Sequence, residues 1–96
     1  MAETFKLGMV VNTSGIFDRR SKDADFSVFV CESLGRYEIR DWGDLNEQDC
    51  KHNNMAVARG DMRIRAVYKY PVTGERIWIV TEADHSMTTV LFPHEN

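Results

Sequence analysis

The last third of the sequence constrains the fold most. Three apolar runs, "MRIRAVYKY" (Met62–Tyr70), "RIWIVTE" (Arg76–Glu82) and "MTTVLF" (Met87–Phe92), are separated by the short breaks "PVTG" and "ADHS". In the first run Ile64, Ala66, Tyr68 and Tyr70 fall on one face and Arg63, Arg65, Val67 and Lys69 on the other, the two-residue period of a half-buried strand. Pro71 to Gly74 has turn composition, and Pro93 closes the last run. The whole segment reads as an antiparallel array of strands. Trp78, between Ile77 and Ile79, joins Tyr68 and Tyr70 in an expected cross-strand aromatic cluster.

Upstream, "FKLGMVVN" (Phe5–Asn12) reads as a first strand, closed by Asn12, Ser14 and Gly15. A helix is expected over Ser21–Leu34, where Phe26, Phe29, Val30 and Leu34 share one face. Ser21 or Asp23 would cap it, and Gly35 would stop it. A second helix is expected over Leu45–Arg59, with Asp44 as N-cap, Glu47 in the capping-box position and Gly60 as terminator. Its apolar residues, Leu45, Met55, Ala56 and Ala58, are sparse, as on a surface helix. The expected order is β-α-α-β-β-β: a single α+β domain over residues 1–96, a mostly antiparallel four-stranded sheet with two helices on one face.

Composition narrows the function. At 96 residues there is room for one modest core and no deep interdomain pocket. Twelve basic against fifteen acidic residues give a net charge of −3, the wrong sign for a surface that neutralises phosphates, so no direct nucleic-acid binding is expected. A protein partner with a basic surface fits better. Two cysteines do not make a disulfide framework. No apolar run has the length of a membrane span and the start lacks signal-peptide character, so a cytoplasmic protein with reduced thiols and no membrane partner is expected.

Two stretches carry candidate functional residues. "IRDWGDLNEQDCKHNN" (Ile39–Asn54) sets Trp42 among Asp41, Asp44, Glu47 and Asp49. These acids could form a binding surface anchored by the tryptophan, or complement a helix dipole while Trp42 packs inward. Gly43 implies unusual backbone angles in either case. Cys50 and His52 point to different faces of a helix and lack a second pair at zinc spacing, so no metal and no cofactor is expected. "TEADHS" (Thr81–Ser86) offers His85 as a base oriented by Asp84 or Glu82, with Ser86 or Thr88 as nucleophile. The same residues equally suit a turn in which Asp84 and Ser86 bond the local backbone. No phosphate-loop, dinucleotide or zinc-protease motif occurs in the sequence.

Taken together, "DWGDL" and "IWIVTEADHSMTTVLFP" resemble a family of small proteins carried on bacterial plasmids, integrative elements and phages, the "plasmid-related proteins". Its pattern has a "GDWGDL" turn, an acid and an asparagine in the following helix, and a closing "WIITEADRSxTTILFP". The matching residues are Trp42, Gly43, Asp44, Leu45, Asp49 and Asn53, then Trp78, Thr81 to Asp84, Ser86, Thr88, Thr89 and Leu91 to Pro93. His85 stands where the pattern has arginine, and the tail "PHEN" departs from the family's aromatic ending. The resemblance implies a setting more than a mechanism.

Mobile elements encode small acidic proteins that occlude host nucleases, as anti-CRISPR and antirestriction proteins do. The expectation is therefore a non-enzymatic module that binds a host protein complex, a CRISPR effector or a restriction enzyme, through an acidic patch. Its partner-binding residues would be Asp41, Trp42, Asp44, Glu47, Asp49 and Asn53, with Glu82, Asp84 and His85 beside them. The alternatives are a small hydrolase built on Glu82, Asp84 and His85, and a plasmid-maintenance or regulatory protein. An exposed apolar face on the second helix or the final strand would mark a homodimer.

Overall fold

A computed structural model of the protein describes residues 5–96. The elements run β1 (Met9–Asn12), α1 (Ser14–Lys22), α2 (Ala24–Glu38), α3 (Glu47–Arg59), β2 (Ile64–Lys69), β3 (Arg76–Thr81) and β4 (Met87–Leu91), ending in a 3-10 turn at Pro93–Glu95. The fold is α+β, and its four-stranded sheet has the order β1-β4-β3-β2. β2, β3 and β4 are antiparallel neighbours, while β1 lies parallel to β4. The three C-terminal strands thus form the expected array.

The first helical region is two helices, not one. Asp23 caps the second of them, its carboxylate accepting the Phe26 N–H at 3.1 Å. Ser21 is not a cap: its hydroxyl donates to the Phe17 carbonyl within α1. Ser14 and Gly15 open α1, capped by Thr13. Gly35 does not stop α2, which runs on to Glu38 and thereby buries Tyr37 completely. Burial of that ring outweighs the ~1 kcal/mol helix cost of one glycine. The first strand is also shorter than expected. Gly8 has φ +67° and lies against the Ser86 carbonyl, where any Cβ would collide, so the extended run starts only at Met9. In α3 the cap is Asn46, two residues beyond Asp44. Asp44 does not cap the helix: its carboxylate accepts from Arg76 at 3.2 Å, and its N–H ties it to the Val67 carbonyl at 2.7 Å. Gly60 ends α3 in the left-handed conformation, as its position in the sequence suggests.

One core cluster joins the helices to the sheet. Ile16 of α1, Phe26, Val30 and Tyr37 of α2 and Ala56 of α3 pack with Ile64, Ala66, Tyr68, Ile77, Ile79 and Val90. Register places those strand residues on a single face, since Ala66 lies beside Ile79 and Ile79 beside Val90. The opposite face carries Val11, Val67, Trp78, Val80, Thr89 and Leu91, with Arg65, Lys69 and Arg76 around them. Val80 and Leu91 are only 3% and 6% exposed, yet neither belongs to the core cluster.

The two sheet edges differ. β2 is sealed: Gly43 forms a parallel bridge to Val67, and the buried Asn53 amide donates to the Arg65 carbonyl at 2.8 Å and accepts the Arg65 N–H at 3.4 Å. β1 forms the other edge and pairs only with β4 among the described residues.

Candidate functional site

The Asp41–Asp44 turn is a structural lock. Trp42 is 4% exposed, packed edge-on against Tyr37 and tilted against Phe5, and its indole N–H donates to the Asn54 side chain at 3.1 Å. An interface anchor must present its ring to a partner, so the anchor role expected for Trp42 is not open to it in this fold. Gly43 has φ +72°, and a Cβ there would collide with the Val67 carbonyl; the glycine is needed for close approach to β2. Tyr68 completes the lock by donating its hydroxyl to the Asp41 carbonyl at 2.7 Å.

The acids of this stretch are mostly paired within the protein. Asp41 takes a two-pronged contact from Arg36 at 2.8 and 3.2 Å, which holds its carboxyl below the usual carboxylate range. Asp44 pairs with Arg76 at 3.2 Å, and Glu47 with Lys51 at 3.4 Å one helical turn on. The negative field expected from these residues is therefore largely offset by neighbouring cations. Asp49 stands apart from them, in a cleft with His52, Asn53, Arg63 and Arg65. Asn53, 3% exposed, spends its side chain on the β2 backbone and presents nothing to a partner.

The loop between β3 and β4 is a tight turn. Its ends are closed by Glu82 N–H to the Met87 carbonyl at 3.0 Å, and by His85 N–H to the Glu82 carbonyl at 2.8 Å. The Asp84 carboxylate accepts both the hydroxyl and the N–H of Ser86, at 2.6 and 3.0 Å, and these bonds hold it below the usual carboxylate range. It is thus turned to Ser86 and not to His85. Thr88 is fully buried and donates to the Leu7 carbonyl at 2.6 Å. His85 sits at φ +58° with its ring edge-on to Phe5, and its Nε2 is buried without a hydrogen-bond partner among the described residues. The relay through Asp84 considered for this loop is not assembled: its carboxylate is held by Ser86, and the Thr88 hydroxyl by the Leu7 carbonyl. Among the described residues no three His, Cys, Asp or Glu side chains gather closely enough to hold a metal ion. No described helix is long and apolar enough to cross a membrane.

A different surface has the character of a binding site. On the outer sheet face Trp78 is half-buried, and the Arg65 guanidinium lies over its ring, 4.7 Å from the centroid. Val67 and Leu91 flank Trp78 in register, and Val80 lies between Arg65 and Thr89. Every buried apolar helix residue belongs to the core cluster on the other side. The expected cluster of Trp78 with Tyr68 and Tyr70 does not form: the tyrosines belong to the core, and Trp78 lies beside Val67 on the other face. The overlooked signal is that "IWIV" and "TVLF" are apolar at both parities, as in strands covered on both faces. No family model matches this protein, and neither a curated protein nor a solved structure matches it.

Proposed function

We propose that this protein is a non-enzymatic protein-binding module that docks through the outer face of its sheet. The observation that carries this reading is the partly exposed apolar patch of Val11, Val67 and Trp78 on the face away from the core, with the buried Val80 and Leu91 beside it. Interface centres are apolar and rich in tryptophan and arginine, with polar rims. Here Trp78 and Arg65 are stacked at the centre and Lys69 and Arg76 lie on the rim. The matching partner surface is apolar and bordered by carboxylates. Back-to-back pairing of two copies across this face would set the cations of one against those of the other, which disfavours a homodimer there.

The resemblance to plasmid-related proteins supports placing the partner in a host CRISPR or restriction complex, with this protein as an inhibitor that occupies a subunit surface. Internal pairing of Asp41, Asp44 and Glu47 argues against mimicry of a nucleic acid by the acidic stretch. The test is capture from a bacterial lysate with the tagged protein, with Trp78→Ala and Val67→Lys, and with Asp41→Ala/Glu47→Ala. Each variant is first checked for folding by circular dichroism. A stoichiometric partner lost in the first two variants and kept in the third supports the reading. A partner lost only in the acidic double variant would return the site to the Asp41–Asp49 stretch.

A further inference from the structure

Several arginines in this acidic protein are paired with its own carboxylates, while Arg20 bonds the Asn12 and Ser27 side chains. Arg19 pairs with Asp23 and Glu75, Arg36 with Asp41, Arg59 with Asp61 and Arg76 with Asp44. Arg63 and Arg65 have no such pairing among the described residues, although acids outnumber bases fifteen to twelve in the sequence. Both line the same cleft, between α3 and the edge of β2, with a volume of about 230 Å³.

The cleft is built rather than incidental. Asn53 fixes the Arg65 backbone from below with two hydrogen bonds, and Trp78 backs its guanidinium. Arg63 immediately precedes β2 and lines the cleft beside Arg65. From α3, Asp49 and His52 face them, three residues apart and so on one side of that helix. Two guanidinium groups against one carboxylate leave a net charge of +1, which a singly charged anion neutralises. A planar carboxylate also matches the fork of a guanidinium, each oxygen taking one N–H.

We propose that this cleft is a carboxylate-binding subsite, taking an acidic side chain or the C-terminal carboxylate of a partner protein beside the outer sheet face. The inference rests on the protein-binding reading and names the chemistry its partner must offer. Asp49 is the internal competitor that the incoming carboxylate opposes. Removing its charge should therefore tighten binding.

The experiment is an NMR titration of the ¹⁵N-labelled full-length protein with three probes. They are a capped peptide with one glutamate among alanines, the same peptide with glutamine and a free C-terminus, and inorganic phosphate. One or both peptides should give saturable shifts at the amides of His52, Arg63 and Arg65, and the tighter one identifies the source of the carboxylate. Arg63→Gln and Arg65→Gln, both changes at exposed side chains, should each weaken binding about ten-fold, and Asp49→Asn should strengthen it about three-fold. The proposal is overturned by absence of saturable shifts, by binding unchanged in both arginine variants, by weaker binding in Asp49→Asn, or by phosphate saturating below both peptides. The outcomes separate from those of lysate capture. A captured partner lost with Trp78→Ala but indifferent to Arg63→Gln would leave the module standing and remove the cleft. Peptide binding without a captured partner would do the reverse.

Discussion

At the scale of single residues, the tolerance of each position is set by what its atoms touch. Gly43 combines a left-handed backbone with direct approach to the Val67 carbonyl. Gly43→Ala should therefore cost ~3 kcal/mol, read as a lowered urea midpoint with an unchanged slope. A loss below ~1 kcal/mol would show that the turn can move away from β2. Under the helices runs a buried row of hydroxyls. Thr88 donates to the Leu7 carbonyl at 2.6 Å, so it can only accept from Thr81 at 2.8 Å, which in turn accepts from Tyr37 at 2.7 Å. Burial raises the Tyr37 pKa well beyond the ordinary tyrosine range, so the ring keeps the proton it donates. Thr81→Val breaks two links and should cost ~2 kcal/mol, against ~1 kcal/mol for Tyr37→Phe, which breaks one. Equal losses would mean that Tyr37 relies instead on its longer contact to the Ile64 carbonyl, at 3.4 Å.

At the scale of elements, the C-terminal turn is tied to the start of α1 through one carboxylate. Glu95 accepts the Thr13 hydroxyl at 2.6 Å, the Gly15 N–H at 3.0 Å and the Phe92 N–H at 2.9 Å. A methyl group on Gly15 would intrude on that carboxylate, 2.6 Å from its nearer oxygen. Gly15→Ala alone should thus destabilise by ~1 kcal/mol although alanine is the better helix former. In a Glu95→Ala background the same change should stabilise by ~0.5 kcal/mol, and a sign unchanged between the two backgrounds would refute the coupling. This tie also shows where the sequence stops being informative. β2, β3 and β4 are legible because alternation is local, and Asp23 and Gly60 were identifiable as helix signals because capping acts within one turn. The split between α1 and α2 was obscured because Phe26, Phe29, Val30 and Leu34 carry a period that does not reveal where the helix begins. The roles of Glu95, Asn53 and Asp44 depend on partners 80, 12 and 32 residues away, which no local pattern encodes. The same holds for the candidate site. The carboxylates near Trp42 were visible in the sequence, while Arg36 and Arg76, which neutralise two of them, lie outside that stretch.

At the scale of the whole molecule, carboxylates held by hydrogen bonds make the fold acid-labile. Arg36 lowers Asp41, Arg19 lowers Glu75, and the Ser86 hydroxyl lowers Asp84. For Glu95 burial pulls upward, but the bonds from Thr13, Phe92 and Gly15 together outweigh it. Each group binds its proton more weakly in the folded protein than in the unfolded one. The stability they supply is present above the unfolded value near ~4, and is lost as pH falls through the lowered folded values. The urea midpoint should drop steadily below about pH 4, and a midpoint that stays level down to about pH 3 would contradict these assignments. The outer sheet face combines apolar area with the Arg65 and Lys69 cations. Docking through that face is the central claim. The most direct measurement places a photo-crosslinking residue at Val67 on the outer face, or at Val28 and Glu47 on the other surfaces, and irradiates each variant in bacterial lysate. A defined adduct from position 67, with none from 28 or 47, is the expected result. An adduct from position 47 with none from 67 would contradict it.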